Sequence, residues 1–289
     1  MKLSIITDEV TQDFGEAVRF AREYGLDGLE LRSVEDRPID LIHKPLLALW
    51  AKCLREEGLK VPNIAGSFGK CHPDQMEQEL DKLKRLCDTA DIFQCDTIRG
   101  FGFFTPEKGE PFPLKQIAEE LMKAEAILRV REKKLLLEAD PSVNTTNHRQ
   151  LARLLEHLNP AWFLAIYDPG NDLFDPERES PFPDGYRAIL GRMAHIHVKD
   201  GIFDKNGAPV CVAPGKGLVP YKKILRQLKT DGYDGWLSLE PHYRKDVVLT
   251  EEQMRLPQGS SFSKGGEEAA AESIEALHRL LKEASRDVC

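Results

Sequence analysis

The chain has 289 residues, 41% hydrophobic and 30% charged, which suffices for one large core or two small ones and excludes a disordered chain. Forty-eight acidic against 40 basic residues leave a net charge of -8, so the long-range field repels polyanions and offers no general attraction to nucleic acid or anionic lipid. Six cysteines without a Cys-x-x-Cys pair disfavour a zinc ribbon and a disulfide framework, and the expected partner is a small molecule.

In chain order, Lys2 to Thr7 predicts the first strand. No export-signal h-region follows Met1 and no apolar run is long enough to span a bilayer, so the expected compartment is the cytosol. Phe14, Ala17, Val18, Ala21 and Tyr24 then share one helical face, with Asp13 to cap, Glu16 three residues on, and Gly25 to stop. Asp27 to Leu31 predicts the second strand, and Leu46, Leu47, Trp50, Cys53 and Leu54 the helix after it. The third pair is Leu59 to Ala65 with Met76, Leu80, Leu83, Cys87 and Ala90; the fourth is Thr97 to Phe101 with Ile117, Leu121, Ala124 and Leu128. Lys134 to Glu138 pairs with Leu151, Leu154, Leu155 and Leu158, and Trp162 to Asp168 with a weakly patterned stretch from Tyr186 to Leu190. Met193 to Lys199 precedes Tyr221, Ile224 and Leu228, and Gly235 to Glu240 precedes Ile274, Leu277 and Leu281.

A strand and helix recurring roughly every 33 residues, with no linker, predict an all-parallel sheet with helices outside it, and eight such units fit a (β/α)8 TIM barrel. The expected domain is a single one over residues 1–289, and the structural alternative is an open doubly wound sheet.

Chemistry in such a barrel sits at the C-terminal ends of the strands. Strand five ends in Glu138, strand six in Asp168, strand seven carries His197, and strand eight ends in Glu240. One such acid commonly just caps the next helix. Four potential ligands on consecutive strands, next to runs meant to be buried on both faces, call for a cation. Three carboxylates and an imidazole make a hard, oxygen-rich set that suits one divalent metal ion, Mn2+, Mg2+ or Co2+, with Zn2+ an option where supply favours it.

With their surroundings, these residues resemble a family. Glu138, Asp168-Pro169-Gly170-Asn171, His197-Val198-Lys199-Asp200 and the run Gly232 to Glu240 are similar to the xylose-isomerase-like TIM barrels, which include sugar phosphate isomerases and epimerases, ketose 3-epimerases, inosose dehydratases and an abasic-site nuclease. The resemblance implies that Glu138, Asp168, His197 and Glu240 hold one divalent metal, and that Glu138 and Glu240 are the catalytic acid/base pair on opposite faces of a metal-bound ketose, working through an enediolate. The placement is chemically sensible, because moving a proton next to a carbonyl needs a base and an acid. Two departures limit the transfer. Asn171 stands where many ketose epimerases and the nuclease have a histidine, and Asp204-Lys205-Asn206 replaces the Asp-x-His that the nuclease needs for its zinc cluster.

His72, Arg99, Asn171 and Lys199 are the expected substrate-binding residues. His72 follows strand three on the active face, Arg99 could grip an anion or pair with a barrel-mouth acid, and Lys199 shares the inner side of its strand with His197. Glu30 and Arg32 share a face of strand two and are expected to pair with each other. Pro214-Gly215-Lys216-Gly217 is a weak candidate for a phosphate cradle. The long stretches Phe103 to Pro113 and Pro241 to Gly266 are expected to be lids or contacts in a homo-oligomer. The expected function is a metal-dependent isomerase or epimerase of a small keto sugar or related polyol. The alternative is an inosose-dehydratase-type lyase on the same site; an abasic-site nuclease and a non-catalytic binding barrel rank below both.

Overall fold

In the computed structural model, which describes residues 1–106, 108 and 110–286, eight parallel strands form a closed barrel ringed by helices. The strands are β1 (Lys2–Ile6), β2 (Gly28–Glu30), β3 (Ile64–Phe68), β4 (Thr97–Gly100), β5 (Lys134–Glu138), β6 (Phe163–Tyr167), β7 (Met193–Val198) and β8 (Trp236–Leu239). They pair as sequential neighbours from β3 to β8, and β8 then returns to β1 and β1 to β2. Single bridges from Gly28 to Lys60 and from Leu31 to Ile64 close the gap between β2 and β3.

The strand interiors are buried on both faces, as parallel strands covered by helices must be, and so read as continuous apolar runs such as Leu135-Leu136-Leu137. The helices are amphipathic. The first, α1 (Phe14–Glu23), buries Phe14, Ala17, Val18, Phe20 and Ala21; Asp13 caps it by accepting from the Glu16 N–H at 2.8 Å, and Gly25 follows at φ +65°. Two further helices of the outer ring are α2 (Lys44–Glu56) and α3 (Met76–Phe93).

Strand three starts later than the expected Leu59 to Ala65. Pro62 has no N–H to give to a ladder, so residues 59–63 join the backbone of β2 at the Lys60 bridge and regular pairing begins at Ile64. Two antiparallel hairpins, Ser33–Val34 with Arg37–Pro38 and Asp200–Phe203 with Pro209–Val212, decorate the mouth. The second turns through Asp204 to Gly207, with Gly207 at φ +81°. The weak sixth crossover is short helical pieces, Pro169–Phe174 and Tyr186–Ile189. Cys53, Cys71, Cys87, Cys95 and Cys211 are free thiols, and Cys289 lies outside the described residues. No helix among the described residues is long and apolar enough to cross a membrane.

Candidate metal centre

Each of the four expected ligands leaves the C-terminal end of its strand. Glu138 closes β5, Asp168 follows β6, His197 lies in β7 and Glu240 follows β8, and all four are at most 2% exposed. One ligand atom from each lies within 4.8 Å of the others. His197 Nδ1 is 2.9 Å from Glu138 Oε1 and 3.5 Å from Glu240 Oε2.

Asp168 is both a cap and a cluster member. Its Oδ1 accepts from the Gly170 N–H at 2.9 Å and caps the short helix that follows. Its Oδ2 is buried, makes no well-aligned hydrogen bond, and faces Lys199 Nζ at 2.8 Å. Three buried carboxylates and an imidazole nitrogen, converging among the described residues with only one ammonium beside Asp168, make a donor set that fits a divalent cation of the borderline-to-hard kind. Glycine is required at 170, since a Cβ there would lie 2.8 Å from the Lys199 side chain and backbone.

The cluster is strongly coupled electrostatically. Burial pushes the Asp168 carboxyl up to about 6, Lys199 opposing and the neighbouring glutamates assisting. Burial also raises Glu138 and Glu240, but it is overridden at Glu138 by the His197 charge and at Glu240 by Lys199 and the two nearby imidazoles, so both stay below the usual carboxylate range. Burial lowers His197, yet Glu30 and Glu138 outweigh it and hold the imidazole well above its ordinary value.

Of the expected substrate-binding residues, Lys199 and Asn171 stand at the cluster: Lys199 Nζ also reaches Glu240 Oε2 at 2.9 Å and donates to Asn171 Oδ1 at 3.2 Å. Arg99 is 4% exposed and its hydrogen bonds go to protein acceptors: Glu138 Oε2 at 3.2 Å, Glu240 Oε1 at 3.0 Å, and the carbonyls of Gly66 and Ala65. The structure does not bring His72 to the cluster. It caps the turn Pro73–Gln75 and sets its ring edge-on to Phe104, with centroids 6.3 Å apart.

Glu30 and Arg32 do not pair. Strand β2 ends at Glu30 and the chain turns into the hairpin at Ser33, so the two side chains leave a shared pleat. Arg32 instead binds Asp8 at 2.8 Å, Glu9 at 2.9 Å and Glu240 at 2.6 Å, while Glu30 points down to His195 and His197. Asp8 and Glu9 carry the same strand-end signal after β1 and belong with the site. Glu9 in turn holds His242 Nδ1 at 2.6 Å and Arg244 at 3.1 Å.

The supposed phosphate cradle is filled by the chain itself. Asp200 accepts from the N–H groups of Gly201, Gly215, Gly217 and Val219 at 2.8 to 3.0 Å. A Cβ on Gly217 would lie 2.1 Å from Asp200 Oδ1. Asp204 and Asn206, at the place of the nuclease's extra ligands, form an exposed hairpin turn.

Above the cluster lies a cavity of about 480 Å3 whose lining includes Asn171, Lys199, His242, Phe174, Met254 and Arg255. The stretch after β8 supplies one wall through the helix Glu251–Arg255, and it is anchored by buried Arg244 and Phe262. A second cavity of about 590 Å3 lies at the opposite, N-terminal ends of the strands, against Lys2, Lys60, Thr97 and Trp236. Barrel chemistry belongs to the C-terminal end, where the titratable groups converge, so the smaller cavity is the relevant one.

Residues 18–284 match the family described as Xylose isomerase-like TIM barrel. The chain belongs to this family. Among curated relatives, 3-dehydroshikimate dehydratase of Bacillus anthracis is 21% identical over 262 residues, covering 82% of this chain and 89% of that protein. Among solved structures, the IOLI protein with a bound zinc atom superposes with a TM-score of 0.76 at 16% identity, covering 98% of this chain and 99% of the other. D-allulose 3-epimerase from Methylomonas sp. gives 0.73 at 13% identity, covering 97% and 98%. An epimerase and a dehydratase are thus among the proteins to which this chain is similar.

Proposed function

We propose that the protein is a divalent-metal-dependent isomerase or epimerase of a small keto sugar or related polyol, with Glu138 and Glu240 moving the proton at the carbon next to the carbonyl. The observation that carries this reading is the set Glu138, Asp168, His197 and Glu240, converging within 4.8 Å under a polar-floored cavity. A divalent cation held by these four residues would supply Lewis-acid polarisation of a carbonyl oxygen. Both glutamates are ionised at neutral pH and so able to accept a proton. They come from strands on different sides of the mouth, which lets them address different faces of one substrate. Lys199 Nζ and Asn171 line the cavity and would orient substrate oxygens. Arg99, committed to both glutamates, holds them in place.

A dehydratase is the second reading. It is favoured by the 3-dehydroshikimate dehydratase likeness over most of the chain, and by the Lys199 ammonium in the cavity wall, which would hydrogen-bond a departing hydroxyl.

The test is a panel of keto sugars and inososes in deuterated water, with and without chelator. Deuterium uptake next to the carbonyl without new ultraviolet absorbance supports the isomerase or epimerase, and a rising enone band supports the dehydratase. Turnover unaffected by chelator in a preparation that elemental analysis finds metal-free overturns both.

A further inference from the structure

Beneath the four ligands the barrel interior holds a second polar group of residues. Glu30 at the end of β2 is 0% exposed, and its carboxylate meets His195 Nε2 at 3.0 Å through Oε2 and His197 Nε2 at 3.2 Å through Oε1. The Asn63 amide donates to the same Oε1 at 2.7 Å. Among the described residues no lysine or arginine forms an ion pair with Glu30; its ion-pairing partners are the two imidazoles. A buried carboxylate is costly without a partner, and here its partners are the two imidazoles and the Asn63 amide.

His197 stands between the two levels. One ring nitrogen, Nδ1, faces Glu138 and Glu240, and the other, Nε2, faces Glu30. An imidazole can offer a lone pair on one nitrogen while the other carries hydrogen, and a carboxylate acceptor on the Nε2 side fixes which is which.

We infer that Glu30 is a positioning residue for the metal centre: by accepting the Nε2–H of His197 it orients the ring and presents the Nδ1 lone pair to the cluster, with Asn63 fixing the carboxylate that does so. The inference rests on the metal reading above and adds a residue from a strand that supplies none of the four ligands. Neutral Gln at position 30 keeps the size of Glu but can turn its NH2 toward Nε2, which favours hydrogen on Nδ1 and blocks the ligand nitrogen.

The experiment is titration of the chelator-stripped full chain with Co2+ alone, followed by calorimetry and by the visible Co2+ absorption, with no substrate present. The parent should bind one Co2+, and Glu30→Gln should bind about 10 to 100-fold more weakly with an altered visible spectrum. The metal-free variant should melt no lower than the metal-free parent, whereas a purely structural role would lower that melting point and leave the affinity alone. Equal affinity and spectrum in a parent and variant that both bind Co2+ overturn the role of Glu30 and leave the metal centre standing. A parent that binds no Co2+ overturns the metal reading and this inference with it. Should Glu30→Gln fail to fold, Asn63→Leu withdraws only the amide that fixes Oε1; a several-fold fall in Co2+ affinity is then expected, and an unchanged affinity overturns the inference.

Discussion

Glu138 and Glu240, on strands separated by two others in the barrel, are joined through a single nitrogen of Arg99, whose Nη1 lies 3.2 Å from Glu138 Oε2 and 3.0 Å from Glu240 Oε1. The guanidinium is itself fixed by the carbonyls of Gly66 and Ala65, so the spacing of the two carboxylates is set by β3 and β4 as much as by their own strands. Removing it leaves two buried like charges without their shared counter-charge. Arg99→Met should therefore cost about 3 to 5 kcal/mol in urea unfolding of the metal-free protein, the range for breaking a buried ion pair. A cost under about 1 kcal/mol would show that the clamp is incidental.

The same two carboxylates carry the proposed proton transfer. With metal content matched to the parent, Glu138→Gln and Glu240→Gln should each slow hydrogen exchange at the carbon next to the carbonyl by ~10²-fold or more. If either variant exchanges at the parent rate, that glutamate is not a base. Lys199 would be examined next, because its ammonium lies 2.9 Å from Glu240.

The barrel and the convergence of Glu138, Asp168, His197 and Glu240 were legible because period and position coincide: buried parallel strands leave long apolar runs, and the polar residue ending each run lands at the mouth. What was not legible depends on distances between elements. Nothing in the run Leu29-Glu30-Leu31-Arg32 says that the acid turns down toward β7 while the arginine turns across to β1 and β8. His72 sits on the expected loop, but the turn it caps keeps its ring beside Phe104. Pro214 to Gly217 reads as an anion cradle, and it is one; the anion is Asp200, which tells the same local story as a phosphate would.

That cradle yields the third prediction. Asp200 is buried and accepts four backbone N–H groups, tying the loop after the second hairpin to the end of β7. Asp200→Ala should destabilise the fold by about 3 kcal/mol, with water replacing part of what each N–H loses. Inorganic phosphate should not raise the parent's melting temperature, since the site is already filled. A phosphate-dependent rise in the parent that Asp200→Ala enlarges would reinstate the phosphate reading.

The last prediction concerns acid stability, at a pair outside the metal set. Asp140, just beyond β5, accepts from Lys70 Nζ at 2.9 Å and from the Ser142 N–H at 2.8 Å. Burial pushes its carboxyl up, but Lys70 and the Ser142 hydrogen bonds prevail and bring it down to about 2. In the unfolded chain the same group titrates near 3.9. The folded state thus favours the ionised form, and the resulting stability is fully present above about pH 4 and lost as pH falls through about 2. The difference of nearly two pH units corresponds to about 2 to 3 kcal/mol. Asp140→Asn should lower unfolding free energy by that amount at pH 6, because Lys70 keeps its buried charge and loses its counter-ion, while Lys70 Nζ still donates to the Arg255 carbonyl at 2.7 Å. As the parent's Asp140 takes up a proton it comes to resemble the asparagine, so the gap between the two proteins should narrow steadily below pH 4. Urea unfolding of both at half-unit steps from pH 6 to the lowest pH at which the parent remains folded measures it. A gap that stays constant over that range would mean that the charge of Asp140 contributes nothing and that its value lies in shape alone.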